Sequence, residues 1–321
     1  MSAPIYTGVY PVLATPFDDR GKIDEESLRR LVRFVLESGA DGLTVGGVAS
    51  EVYKLSEPER ERTATIVLEE TGRAVPVWVG TGHSCAELAV ELSTKAEALG
   101  AAGVMVMPPF AMRPTLAGVG AYFRAIARAV KVPVMVQDAP LVSNVHLPAD
   151  FLAGLAGELD TLRYVKLEAP PTGPKISDLL RKAGGKLAVF GGLGGMNMTD
   201  EFKRGAVGTL PGSAFPEVHV EIWRRFRDGD VAGAEEVHRR FLPLLRFCSQ
   251  SVEFSFHAYK EILRRRGVLR SAYVRQPSTT FDDGERAELE ALLGTRSAKG
   301  SRGKEAGPTH ETRADSPGRP R

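Results

Sequence analysis

Apolar runs of strand length alternate with segments of helical spacing eight times between Gly8 and Arg227, and no other property of the chain constrains its fold as much. Strand starts recur roughly every 25 to 35 residues, which is the room taken by one strand, one helix and two short loops. Several strands, such as Gly103 to Met107, are continuous apolar runs, as expected of strands buried on both faces of a parallel sheet. Between them, Leu28, Leu31, Val32, Val35 and Leu36 fall at helical spacing before a stop at Gly39, and Ser56-Glu57-Pro58-Glu59 is a capping box with proline in the first turn. Eight strand–helix units predict an α/β chain folded as a (β/α)8 TIM barrel over residues 1–228. Three further helical segments, 231–252, 255–267 and 283–293, predict a C-terminal extension packed on the barrel over residues 229–295. Beyond Gly294 the chain turns Gly-, Ser-, Pro- and Lys/Arg-rich. Such a composition cannot bury enough surface to offset its ordering entropy, so residues 296–321 are expected to form a disordered basic tail.

Composition removes several function classes. The formal net charge is +2, but the segment from Arg296 onward carries seven Lys/Arg against three acids, which leaves the body near −2. A folded nucleic-acid-binding surface is therefore not expected. The two cysteines, Cys85 and Cys248, are far apart and outside any C-x-x-C spacing, which indicates neither a disulfide framework nor a zinc site. The six histidines are scattered, and none stands in a His-x-His or His/Asp/Glu cluster, so no metal is expected. No stretch of about 18 apolar residues occurs, and Met1 to Thr7 lacks a basic segment followed by an apolar run, so the expectation is a cytoplasmic protein with no membrane partner.

Chemistry in such a barrel belongs at the C-terminal strand ends and the loops after them. That rule selects Gly46 to Glu51 after the second strand, Gln137-Asp138-Ala139-Pro140 after the fifth, Gly191 to Gly195 after the seventh and Pro211-Gly212-Ser213 after the eighth. The Gly191 to Gly195 run lacks the spacing of a dinucleotide fingerprint, which excludes a nicotinamide site. On the sixth strand, Arg163 to Glu168, a lysine stands among apolar neighbours. Residues two apart on a strand share a face, so Lys166 and Glu168 project together and Val165 and Leu167 oppose them. An ammonium among apolar groups is disfavoured in its charged form, and the free amine attacks ketones. The bland alternative is a lysine at a strand end reaching for water.

With these residues laid out, the chain resembles the dihydrodipicolinate synthase and N-acetylneuraminate lyase family of class I aldolases over roughly residues 7–294. The resemblance rests on Ala14-Thr15-Pro16-Phe17, on Gly47 through Glu51 with Leu55-Ser56 and Glu59-Arg60 after it, on Val79-Gly80-Thr81-Gly82, on Pro114-Thr115, and on Tyr164-Val165-Lys166 where the family has Gly-Ile-Lys. It implies a TIM barrel, a 2-keto acid such as pyruvate held as an imine on Lys166, no cofactor beyond that covalent imine, and a homo-oligomer, tetramer or dimer. It also implies that amides near Ala49 and Ser50 hold the substrate's carboxylate, that the backbone carbonyl near Leu210 touches the lysine, and that Gln137, Gly191 and Gly192 belong to the binding site.

Four departures narrow the activity. The family's Gly-Thr-Thr-Gly-Glu loop reads Gly47-Val48-Ala49-Ser50-Glu51, without the threonine hydroxyls. The Tyr-Asn-x-Pro motif reads Gln137-Asp138-Ala139-Pro140, and an amide cannot relay a proton as a phenol does. The arginine that grips the second substrate in the synthases aligns near Val142, and their tyrosine pair is Phe110-Ala111. Lysine-pathway condensation is not expected of such a chain. Glu168, on the face of Lys166, is the first candidate to move protons and Asp138 the second. The alternatives are a structural ion pair for Glu168 and a cap or turn for Asp138. The leading reading is a Schiff-base lyase, aldolase or hydro-lyase, acting on pyruvate or another 2-keto acid. A dehydratase of 2-keto sugar acids on the same imine and a non-catalytic 2-keto-acid binding protein stay open beside it.

Overall fold

In the computed structural model, which describes residues 6–110 and 112–300, the first half of the chain forms β1 (Gly8–Val9), α1 (Glu25–Glu37), β2 (Leu43–Val45), α2 (Glu57–Thr71), β3 (Val77–Gly80), α3 (Ala86–Ala98), β4 (Gly103–Val106) and α4 (Leu116–Ala129). The second half continues as β5 (Val134–Asp138), the single turn α5 (Pro140–Ser143), α6 (Ala149–Glu158), β6 (Leu162–Leu167), α7 (Thr172–Ala183), β7 (Ala188–Gly191), α8 (Met198–Lys203), β8 (Gly208–Thr209) and α9 (Pro216–Arg227). Two longer helices, α10 (Val231–Cys248) and α11 (Val252–Arg265), follow.

All strand pairs are parallel and run in the order β1-β8-β7-β6-β5-β4-β3-β2. Val12 bridges Thr44 on one side and Gly212 on the other, which joins the two ends of the sheet and makes the barrel. The strand-like run that opens at Gly8 continues to Phe17 in the sequence. Only Gly8–Val9 is regular, because Pro11 and Pro16 have no N–H to give the ladder. The capping box of α2 forms as its sequence predicts: Ser56 N donates to Glu59 Oε2 at 2.9 Å and Glu59 N to Ser56 Oγ at 3.4 Å.

Large side chains fill the barrel. Tyr10, Trp78, Met105, Met135, Tyr164 and Phe190 form one buried cluster, with Trp78 and Tyr164 edge-on at 5.2 Å and Tyr10 and Phe190 edge-on at 5.5 Å. Burial of each such side chain contributes about 2–3 kcal/mol. Met135 stands in register with Tyr164, and two residues on Gln137 stands in register with Lys166. Strand alternation therefore roofs the aromatic layer with a polar one at the C-terminal end.

The helix α11 is fastened to the loop after β2 by charge in a dry place. Lys260 and Glu51 are both fully buried and form an ion pair; Lys260 Nζ also donates to Tyr273 O at 3.0 Å and lies 4.2 Å from the Phe17 ring centroid. Lys54 supplies a second cation, 3.1 Å from Glu51 Oε2. Burial draws the Lys260 pKa down to about 8, against the pull of Glu51. Glu51 adopts φ +55°, a left-handed conformation uncommon for a residue with a side chain, and its paired carboxylate holds it there.

The chain through Thr280 is one compact unit that includes α10 and α11, so the expected division at residue 228 is not a boundary of the structure. The second unit contains α12 (Asp283–Gly300). This helix passes through Gly294 and covers 296–300, where disorder was expected; one glycine costs a helix about 1 kcal/mol and need not end it. The rest of the expected tail, 301–321, lies outside the described residues.

Lys260→Met should destabilise the protein by about 3 kcal/mol in urea unfolding, because the Glu51 carboxylate loses its buried partner, while Lys260→Met with Glu51→Gln should recover part of that loss. A single variant that unfolds within about 0.5 kcal/mol of the parent protein would show that the pair does not secure α11.

Candidate active site

The roof of the barrel brings together side chains from β5 and the end of β6 with a backbone N–H from the loop after β7. Lys166 Nζ stands 3.1 Å from Glu168 Oε1, with side-chain exposures of 5% and 12%. Gln137 Nε2 donates to Glu168 Oε2 at 2.8 Å, and the Leu193 N–H, in the loop after β7, donates to Oε1 at 3.0 Å. Glu168 thus collects donors from β5, β6 and the loop after β7, an arrangement that fixes its orientation. Gly192 leaves space for it: a Cβ there would lie 2.5 Å from Glu168 Cγ.

Beside this pair opens a cavity of about 450 Å³ lined by Lys166, Glu168, Ala49, Val142, Leu210 and Tyr259 among others. Lys166 and Glu168 are the only charged residues among the described residues that line it. The lysine therefore does not reach past the strand end for water. It is buried in the polar roof and faces a space of substrate size.

The other expected site residues divide. Ala49 and Leu210 line the cavity. Ser50 does not: its hydroxyl donates to Leu13 O at 2.6 Å, and its N–H closes a short 3-10 turn onto Gly47 O at 3.0 Å. The N–H groups of Val48 and Ala49 precede that first turn bond, and both residues line the cavity. Gln137 reaches the site through Glu168 and does not line the cavity. Gly191 and Gly192 do not line it either; they make room for Glu201 and Glu168 respectively.

Asp138 is a correction. It is in register with Leu167, faces away from the barrel interior, and lies with Oδ2 2.5 Å from Lys175 Nζ of α7. Burial raises its pKa above the usual carboxylate range against the opposing charge of Lys175. The alternation that puts Gln137 inward forces Asp138 outward, so it is neither a cavity group nor a cap.

Two groups near the site were not anticipated. Glu201 of α8 is fully buried, its Oε2 1.9 Å from where a Gly191 Cβ would stand. Burial, with the charges of Glu168 and Asp200, pushes its pKa up to about 7, and Thr172 opposes the shift without making a hydrogen bond of full geometry. Tyr259 of α11 lines the cavity itself. A sequence signal existed for the tyrosine: Val252, Ser255, Phe256 and Tyr259 share one helix face by their spacing, and two of them are polar. Behind the loop after β7, two histidines act as packing groups. His238 donates from Nε2 to Gly195 O at 3.0 Å and accepts the Thr199 hydroxyl at Nδ1, while His219 faces Gly194 O at 3.3 Å; burial lowers both pKa values, that of His219 to about 4.

Comparison with known proteins places this geometry. Residues 5–296 match the Dihydrodipicolinate synthetase family. The L-2-keto-3-deoxyarabonate dehydratase of Azospirillum brasilense is 32% identical over 295 residues, 91% of this chain and 94% of that protein. A 4-hydroxy-tetrahydrodipicolinate synthase of Acidobacterium capsulatum is 31% identical over 90% of this chain and 95% of its own. Among solved structures, YagE of E. coli K12 in complex with pyruvate superposes with a TM-score of 0.84 at 25% identity, covering 91% of this chain and 99% of its own.

Two outcomes follow. Glu201 in the folded state keeps its proton up to about 7, whereas the unfolded chain releases it near 4.5. Its burial therefore costs nothing below the lower value, and a cost of about 3 kcal/mol accrues as pH rises between the two. Glu201→Gln should accordingly be more stable than the parent at pH 8 and little different at pH 4.5, read by urea midpoints. Gly192→Ala should push the Glu168 carboxylate off its donors; a crystal structure with Glu168 unmoved would contradict that.

Proposed function

The chain belongs to the dihydrodipicolinate synthetase family, whose members are lyases, and on that premise we propose that it is a Schiff-base lyase, a hydro-lyase of 2-keto-3-deoxy sugar acids and not the lysine-pathway condensing enzyme. The observation that carries this reading is an amine buried in a cavity wall with one carboxylate 3.1 Å away as its charge partner. The name of the Azospirillum relative supports the substrate class. Val142, where the resemblance gives the synthases an arginine, is an apolar wall of the cavity, which leaves a second substrate's carboxylate without a grip.

The pairing of Lys166 with Glu168 is compatible with nucleophilic chemistry because the carboxylate is also the amine's proton acceptor. On arrival of a 2-keto acid, Glu168 takes a proton from the ammonium and the free amine adds to the carbonyl carbon. The carbonyl oxygen takes one proton from that nitrogen and one back from Glu168 and leaves as water, so the nitrogen keeps the positive charge as an iminium and Glu168 is again a carboxylate. Glu168 then removes a proton from C3, whose electron pair moves into the C2–C3 bond and neutralises the nitrogen. As that pair returns, the C4 hydroxyl departs and takes up the proton, so the step releases one water. Hydrolysis restores the amine. Gln137 and the Leu193 N–H hold Glu168 in line for these transfers, and the N–H groups at Val48 and Ala49 are placed for the substrate carboxylate.

The resemblance further supports a homo-oligomer in the cytoplasm. Among the described residues, no helix is long and apolar enough to cross a membrane.

Incubation with pyruvate and sodium borohydride should add one reduced pyruvyl group, mapped by mass spectrometry to Lys166, and Lys166→Ala should add none. Glu168→Gln should lower turnover of a 2-keto-3-deoxypentonate by roughly 10²- to 10⁴-fold. Stabilisation by 2-keto acids without any trapped adduct would instead make the protein a binder.

A further inference from the structure

One wall of the cavity above Lys166 is not used by this chemistry. Val252, Ser255, Phe256 and Tyr259 of α11 all line it, and their i, i+3, i+4, i+7 spacing makes one helix face a cavity surface. Tyr259 is 6% exposed. A Cβ at Gly212 would stand 2.5 Å from its Cζ, and one at Gly194 would stand 2.7 Å from its hydroxyl. The loops after β7 and β8 thus both carry glycine where the phenol lies against them, which fixes the ring over the barrel mouth. The same Cβ at Gly194 would stand 3.2 Å from the Ser249 Oγ, which puts that hydroxyl beside the phenol. Burial and the charge of Glu168 drive the phenol's pKa up, so it keeps its proton at any ordinary pH and presents a neutral donor. Around it the polar lining is also neutral: Asn197, Ser249, Gln250, Ser251 and Ser255. A second carboxylate or a phosphate in that part of the cavity would lose its water with no cation to meet it, whereas hydroxyls would find partners.

We infer that Tyr259 is a specificity-determining residue of this site, donating to a hydroxyl on the chain beyond the keto group, and that the substrate's tail is accordingly uncharged and hydroxylated. The inference rests on the imine reading of Lys166. Ser249 positions the phenol, and Lys260, next to Tyr259 in sequence, anchors the helix that carries it through Glu51.

The test compares initial rates of borohydride trapping on Lys166 for two acids, a 2-keto-3-deoxypentonate and pyruvate, in the parent protein, Tyr259→Phe and Ser249→Ala, and adds 2-ketoglutarate as a charged-tail control in the parent. Tyr259→Phe removes one oxygen, and its fold is checked by thermal unfolding; Ser249→Ala leaves the phenol in place and reports on its positioning. The ratio of the two rates should fall roughly 10- to 100-fold in Tyr259→Phe and by less in Ser249→Ala. Unchanged ratios in both variants overturn the role of the phenol while the imine stands. Faster trapping of 2-ketoglutarate than of the pentonate by the parent protein overturns the neutral tail. Trapping of neither acid by any form removes the imine reading and this inference together, and the pyruvate arm separates that outcome from the others.

Discussion

The Glu168 carboxylate is the point at which the separate strands of the barrel become one site. It takes Lys166 from β6, Gln137 from β5 and the Leu193 N–H from the loop after β7. Each donor alone would leave the carboxylate free to rotate, and the three together define both of its oxygens. A buried carboxylate held by three donors is costly to rearrange, because every donor released in a nearly dry space loses a partner without gaining water. The geometry of the amine is thereby set by its neighbour. The lysine is buried without being inert, since the side of its nitrogen away from Glu168 faces an open cavity and not packed protein.

A second buried charge system works at a distance from the reacting groups. Glu51 takes Lys260 and Lys54, and Arg275 pairs with Glu59 while stacking 4.4 Å from the centroid of the Phe17 ring that Lys260 also covers. These residues come from the loop after β2, from α2, from α11 and from the segment after α11. Their common effect is to hold a helix outside the eightfold repeat against the barrel's open end. Without that helix the cavity would lack the wall formed by Ser255, Phe256 and Tyr259. Breaking such a pair is expensive even where forming it gains little, so the network is better understood as fixing where α11 sits than as a source of net stability.

How much of this was legible in the sequence depended on the range of the contacts. The strand–helix alternation, the capping box at Ser56 and the shared face of Lys166 and Glu168 are local, and each was readable from spacings of two to four residues. For Asp138 the strand-end position points to the site while the alternation that turns Gln137 inward points away from it, and the structure sets its carboxylate against Lys175 of α7. Ser50 was assigned to the substrate from its neighbours, and only the closure of a 3-10 turn onto Gly47 shows its N–H and hydroxyl to be occupied. Glu201 and the seat of Tyr259 were beyond reach for a different reason, although helix spacing marks the face on which Tyr259 stands. Their meaning depends on which helix packs on which strand end, through glycines at 191, 194 and 212 that make space only for partners far along the chain.

Charge balance within the cavity carries the reasoning one step further. Lys166 and Glu168 cancel, so the empty site is close to neutral. Under the imine chemistry proposed for Lys166, a 2-keto acid brings one negative charge and the nitrogen keeps its positive charge, so a single cation then faces two carboxylates. No other cation lines the cavity among the described residues, so on the proposed reading the substrate's carboxylate falls to the peptide N–H groups of Val48 and Ala49, both of which are cavity residues. Peptide dipoles at the start of a turn stabilise one anion at close range and lose their effect beyond it. When C3 gives up its proton to Glu168, the nitrogen and the glutamate are both neutralised, and the substrate's carboxylate becomes the only charge left in the cavity. The step that separates charge least is therefore the proton transfer itself, and the walls that surround it, apolar at Val12 and Val142 and neutral at Ser255 and Tyr259, favour a reaction path along which the net charge never has to change.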